Sequence, residues 1–122
     1  MTERLLADYL RDILDAIDKV AEFAPGDDFG SFAGDAKTTF AVVRALEIIG
    51  EAAKQIPDDV RQKYPTVPWR EMTGMRDKLT HEYFGVNLEV VWKTIRRDLP
   101  SMKPLIAQML ADETSKSPDK GE

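Results

Sequence analysis

The spacing of apolar residues near the start of the chain is the feature that most restricts its fold. Leu6, Leu10, Ile13, Ile17 and Val20 follow one another at intervals of 4, 3, 4 and 3 residues. This repeat places them along one face of an α-helix, whereas the alternation typical of strands is almost absent from the chain. We therefore predict an all-α protein whose helices bury their apolar faces against one another.

Capping residues, glycines and prolines set the predicted helix boundaries. Asp35 and Asn87 are suited to cap helices, Pro68 to open one and Pro100 to stop one. A proline and three glycines mark residues 24–34 as a loop. The predicted helices span residues 3–23, 36–56, 58–63, 68–83, 88–99 and 102–111. Short connections between four to five main helices predict an antiparallel bundle.

The length of 122 residues allows one domain. We assign residues 1–111 to the helical bundle and the polar residues 112–122 to a disordered tail. No apolar run approaches the roughly 18 residues of a membrane helix, and no leader typical of secretion is visible. The lack of cysteine excludes disulfide scaffolds and cysteine–zinc sites. We expect a cytoplasmic protein with no membrane partner.

Charge is distributed unevenly along the chain. Residues 1–60 carry six basic and 13 acidic side chains, whereas residues 61–104 carry nine basic and five acidic ones, a local charge of +4. The net charge of −5, taken over the whole chain, argues against nucleic-acid binding. The basic segment, however, has the charge of a local anion-binding surface. Ordinary solvated helix faces are the alternative interpretation of the same pattern.

The single histidine, His81, lies in the basic segment among several other polar groups. Asp77 precedes it by four positions, so the two side chains share one helix face. A carboxylate there would fix the histidine tautomer and favour its protonated form. Arg76 and Tyr83, seven positions apart, lie about 20° from each other around a helix. Arg76 and His81, five positions apart, differ by about 140° around the helix and would flank a common cleft.

These groups are the components of a metal-independent ribonuclease that needs no cofactor. An imidazole can remove the proton from a ribose 2′-hydroxyl, whose oxygen attacks the adjacent phosphate, and an acid then protonates the leaving 5′-oxygen. An arginine offers a fork of donors to the phosphate or the developing phosphorane. Surface ion pairs near a helix end remain the alternative, and spacing alone does not separate the two.

The sequence of this cluster resembles a known motif. Residues 76–83, Arg-Asp-Lys-Leu-Thr-His-Glu-Tyr, are similar to the Arg-x4-His-x-Tyr motif of HepT-like toxins, which belong to the HEPN superfamily. Further blocks of the chain resemble the same family over roughly residues 3–111. These blocks are residues 46–54, 68–76, 90–92 and 98–100.

The resemblance implies a HEPN-type helical bundle that forms a homodimer. It also implies the RNA-cleaving toxin of a type VII toxin–antitoxin system, with tRNA or mRNA as candidate substrates and a minimal nucleotidyltransferase as antitoxin. By motif position, Arg76 and His81 are the catalytic pair and Asp77 supports them. Tyr83 corresponds to the tyrosine to which the antitoxin attaches AMP. In a two-fold dimer, one histidine per chain becomes two imidazoles in one cleft.

The basic segment supplies candidate contacts to RNA phosphates. These candidates are Arg70, Lys78, Lys93, Arg96 and Arg97. We predict no metal site, and we expect Glu47 and Glu51 to form ion pairs along their helix. The alternative function is a non-catalytic helical module that binds nucleotides or a nucleotidyltransferase.

Overall fold

The computed structural model describes residues 5–26, 28–74 and 87–115. All regular elements in these ranges are helical, which confirms the all-α prediction. They are α1 (Leu6–Phe23), α2 (Phe29–Ala33), α3 (Ala36–Lys54), α4 (Asp58–Gln62), α5 (69–74), α6 (Leu88–Lys93), a π-helical turn (Thr94–Asp98) and α7 (Leu99–Ser115). None of the helices in the described ranges is long and apolar enough to cross a membrane.

The core lies where α1 packs against both α3 and α7. The stripe predicted on α1 is confirmed, because its members from Leu10 onward are buried and Leu6 packs at the edge of the core. α3 and α7 contribute large side chains that are fully enclosed. These are Val42, Leu46 and Ile49 of α3, and Leu99, Ile106 and Met109 of α7. The helical periods of the sequence therefore identify the buried faces correctly.

Two helices begin at the capping residues that the sequence predicts. The Asp35 carboxylate accepts hydrogen bonds from the hydroxyl of Thr38 at 2.8 Å and from its backbone N–H at 3.1 Å. These two bonds stabilise the ionised form and hold the pKa of Asp35 below its usual 3.8. At the start of α6, the Asn87 side-chain oxygen accepts from the Glu89 N–H at 2.9 Å.

The prediction of a loop over residues 24–34 is wrong for Phe29–Ala33, which form α2. Asp28 caps this short helix, accepting from the Ser31 hydroxyl at 2.8 Å, and this bond lowers the pKa of Asp28. The aromatic rings of α2 then pack on α6: Phe32 and Trp92 have centroids 5.1 Å apart, and Phe29 and Trp92 6.1 Å apart. Tertiary packing of the two rings, of which Phe32 is buried and Phe29 partly buried, outweighs the glycines that disfavour a helix locally.

The prediction that Pro100 stops a helix is also wrong, since helical backbone continues from α6 through the π-helical turn into α7. In a regular α-helix the proline ring clashes with the carbonyl four residues earlier, here that of Arg96. The wider turn immediately before Pro100 accommodates the ring, and the Leu99 N–H donates to the Thr94 carbonyl five residues back. Pro104 is likewise contained within α7.

The last helix extends four residues past the predicted boundary at residue 111 and ends at Ser115. Its final turn carries Glu113, whose carboxylate accepts a hydrogen bond from the Tyr64 hydroxyl at 2.6 Å. This long-range contact attaches the polar end of α7 to the rest of the fold. The polar composition of residues 112–122 gives no indication of it. Residues 116–122 lie outside the described ranges.

Candidate active site

The motif cluster predicted to carry the chemistry lies outside the described residues. Its members are Arg76, Asp77, Lys78, His81 and Tyr83, all within residues 75–86. Their predicted roles therefore stay predictions. The structure describes the two elements that the motif segment joins, α5 before it and α6 after it, and the basic side chains on both.

α5 begins one residue after Pro68, whose carbonyl accepts the Met72 N–H at 3.0 Å. Its inner face is set by Trp69 and Met72, which are both buried in the core. The indole N–H of Trp69 also donates to the backbone carbonyl of Tyr64 at 3.1 Å. The chain therefore enters the motif segment from a helix that packing and a hydrogen bond hold in place, while Arg70 of the same helix is exposed.

The chain leaves the motif segment at the capped start of α6. Val91 of α6 is buried, and Trp92 packs on α2. Lys93, the last residue of α6, is exposed. The predicted phosphate contacts on this side of the motif thus project from a helix that is fixed by its cap and by aromatic packing.

The two arginines of the π-helical turn have different surroundings. Arg96 donates to the carbonyl of Gly26 at 2.8 Å, and its guanidinium carbon lies 5.3 Å from the centroid of the Trp92 ring. It therefore joins the loop after α1 to the turn before α7, which its position in the sequence does not indicate. Arg97 is exposed, and no carboxylate among the described residues lies within ion-pair distance of it.

This difference predicts separable effects of two alanine substitutions. In a His81→Ala background, which prevents turnover, Arg97→Ala should reduce the slope of log affinity for RNA against log salt by roughly 0.7 to 0.9, the value of one lost phosphate contact. Arg96→Ala should lower the melting temperature, because it removes the hydrogen bond to Gly26 and the stacking on Trp92. Fluorescence anisotropy at several salt concentrations measures the slope. An unchanged slope in Arg97→Ala would remove Arg97 from the phosphate contacts.

A charged cleft of about 530 Å³ lies between α1 and α3. Charged and polar side chains from both helices line it, among them Tyr9, Asp12, Glu51 and Lys54. The sequence does not predict this cleft. The charged residues that flank the apolar stripes of α1 and α3 are typical of any solvated helix face. Glu47, by contrast, forms the predicted ion pair, with Arg44 at 3.3 Å.

A second missed cluster lies beside the start of α5. Lys63 and the Tyr64 hydroxyl both contact the Glu113 carboxylate, at 3.4 Å and 2.6 Å. Burial and the hydrogen bond to Glu113 raise the pKa of Tyr64 to about 12. Tyr64 and Glu113 are 49 residues apart, so the spacing of residues in the sequence does not indicate that they are in contact.

Similarity to known proteins decides the family. A family profile described as ribonuclease HepT-like matches residues 13–109. The chain belongs to the ribonuclease HepT-like family. This confirms the family that the motif indicated, and with it the ribonuclease class of function at the level of the family. Residues 76–83 lie inside the matched range.

Several relatives of this HepT-like chain cover most of its length. A protein of Thermococcus cleftensis, provisionally named ribonuclease HepT, is 56% identical over 96 residues, or 79% of this chain and 87% of the relative. A provisionally named RNase of Methanocaldococcus jannaschii is 41% identical over 112 residues, or 92% of this chain and 97% of the relative. One from Caldanaerobacter subterraneus is 45% identical over 105 residues, or 86% and 94%. No solved structure matches the chain significantly.

Proposed function

We propose that this chain is the toxin of a type VII toxin–antitoxin pair and acts in the cytoplasm as a metal-independent endoribonuclease. The observation that carries the proposal is the family match over residues 13–109, which contains the Arg-x4-His-x-Tyr pattern at residues 76–83. The names of the relatives, which assign them to the RNases, support the same reaction class.

Arg76 and His81 are the proposed catalytic pair. The His81 imidazole takes the proton from the ribose 2′-hydroxyl, the 2′-oxygen attacks the neighbouring phosphorus, and the 5′-oxygen leaves with a proton from an imidazolium. Arg76 donates hydrogen bonds to the phosphate oxygens, on which negative charge accumulates in the transition state. Asp77, one helical turn before His81, orients the ring and favours its protonated form.

One chain supplies one imidazole, whereas the reaction uses a base and an acid. We therefore propose a homodimer in which two copies of the motif face a shared cleft, so that each His81 can take one of the two roles. The proposed phosphate contacts outside this pair are Arg70, Lys78, Lys93, Arg96 and Arg97, of which Arg96 also donates to the Gly26 carbonyl. Full activity in a verified monomer would contradict the dimer.

Tyr83 is the proposed regulatory position. A nucleotidyltransferase antitoxin would attach AMP to its hydroxyl, placing a phosphate and an adenosine beside Arg76. The added phosphate would neutralise part of the basic surface and occupy the space that the RNA backbone needs. Cleavage would stop without any change of fold.

The experiment that tests the proposal combines a nuclease assay with intact mass spectrometry. Purified protein should cleave RNA in the presence of a chelator, since no step uses a divalent metal. After co-expression with a minimal nucleotidyltransferase, the protein should gain the mass of one or more adenylyl groups and lose cleavage. Peptide mapping should place the modification on Tyr83.

A Tyr83→Phe variant is the matched control, because it keeps the ring and lacks the hydroxyl that accepts AMP. It should cleave RNA with or without the nucleotidyltransferase. Tight binding of the nucleotidyltransferase together with no RNA turnover by unmodified protein would contradict the enzyme proposal and favour a non-catalytic binding module.

A further inference from the structure

We propose that Tyr64 and Glu113 are positioning residues that set the placement of α5 and, through it, of the catalytic motif that follows. The inference rests on the proposed function of Arg76 and His81. It concerns a contact between the loop before α5 and the last turn of α7, two parts of the chain separated by 49 residues.

The contact has the geometry of a strong hydrogen bond. The Tyr64 hydroxyl donates to Oε2 of Glu113 at 2.6 Å, within the range of short bonds to an ionised acceptor. Lys63 Nζ lies 3.4 Å from the same oxygen, and the Glu113 side chain is only 12% exposed. Limited solvent access makes the loss of either partner more consequential than it would be on an open surface.

Tyr64 also connects directly to the first residue of α5. Its backbone carbonyl accepts the indole N–H of Trp69 at 3.1 Å, and Trp69 is buried. The side chain of Tyr64 is therefore held by α7 while its backbone holds α5. A shift of the tyrosine transmits to the first turn of the helix, because the indole follows the carbonyl.

Trp69 and Met72, both buried, hold the inner face of α5 in the core. The Tyr64–Glu113 pair adds a polar contact that acts on the first residue of the helix, because the Tyr64 carbonyl accepts the Trp69 indole N–H. Gly74 is the last described residue of α5 and stands two positions before Arg76 in the sequence, which is why the proposal extends from α5 to the motif.

The pair spans the border of the family match. Tyr64 lies within the matched residues 13–109, and Glu113 lies four residues beyond them. The pair connects the end of α7 to the element that precedes the motif.

The test uses kinetics of the full chain with three variants. Tyr64→Phe and Glu113→Ala should each lower kcat for RNA cleavage by about tenfold, the effect of a sub-ångström misplacement of catalytic groups, while KM changes less. The double variant should lose no more than either single variant, because both remove the same bond. Glu113→Gln, which keeps an oxygen acceptor, should restore most of kcat.

Asp18→Asn is the matched control, since Asp18 forms another contact with α7, to Lys103 at 2.7 Å, that does not involve the loop before α5. It should leave kcat unchanged. A loss of kcat in Asp18→Asn equal to that in Tyr64→Phe would overturn the proposal, because general destabilisation would then explain both. Wild-type kcat in Tyr64→Phe and Glu113→Ala, with His81→Ala inactive, would also overturn it.

Amide hydrogen exchange separates this proposal from the proposed function. Tyr64→Phe should accelerate exchange in residues 69–74 and leave α1 and α3 unchanged, whether or not the protein cleaves RNA. An unchanged exchange rate in residues 69–74 would overturn the positioning role by itself. Accelerated exchange in a protein that does not cleave RNA would refute the ribonuclease proposal while the Tyr64–Glu113 pair still positions α5.

Discussion

RNA cleavage by a His81→Ala variant should fall to about one hundredth of the wild-type rate or less, because general acid–base catalysis contributes roughly 10²- to 10⁴-fold. The chain contains no second histidine that could take over the proton transfer. In a homodimer the substitution removes both imidazoles from the shared cleft at once. Initial rates on a fluorogenic RNA, measured under single-turnover conditions, give the change in the chemical step.

A control from the same segment makes the result specific. Glu82→Gln changes the residue next to His81, for which we propose no catalytic role, and it should retain the wild-type rate. Far-ultraviolet circular dichroism and the melting temperature should match the wild type for both variants. Cleavage by His81→Ala at the wild-type rate would refute the assignment of the acid and base.

The Ile49→Ala substitution should lower the free energy of unfolding by about 2–5 kcal/mol, the cost of emptying a closely packed site in a core. Ile49 belongs to α3, the helix that packs on α1, and none of its surface is exposed to solvent. Small domains are stable by only about 5–15 kcal/mol in total, so the loss is a large fraction. Urea denaturation followed by circular dichroism measures it.

Ile49→Val provides a graded comparison, since it removes a single methyl group from the same position. We expect a loss of about 0.5–1.5 kcal/mol, with an unchanged dependence of stability on urea concentration. If both variants were as stable as the wild type, the contact between α1 and α3 would not be the centre of the core.

Local patterns in the sequence predict most of the helical architecture. The stripe from Leu10 to Val20 identifies the inner face of α1, and Asp35 and Asn87 identify helix starts, because periodicity and capping involve residues only a few positions apart. The errors occur where a distant contact decides the local structure. α2 forms because Trp92 covers its aromatic rings, and α7 continues to Ser115, where Glu113 has a partner in Tyr64.

In the candidate site, too, local features are predicted from the sequence and features that depend on distant contacts are not. The motif at residues 76–83 is contiguous, so the sequence is enough to identify it and the family profile matches around it. The environment of each basic side chain depends on the fold. Arg96 and Arg97 are neighbours in the sequence and both are exposed, yet Arg96 donates to the carbonyl of Gly26 and stacks on Trp92, whereas no carboxylate among the described residues lies within ion-pair distance of Arg97.

The π-helical turn before Pro100 sets the rotational phase between α6 and α7. An α-helix advances by about 100° per residue, so deleting one residue from Thr94–Asp98 would rotate all of α6 by that angle relative to α7. Trp92 would then turn away from the rings of Phe29 and Phe32, and Arg96 would lose the carbonyl of Gly26. The number of residues in this turn is therefore under a constraint of its own, separate from their identity.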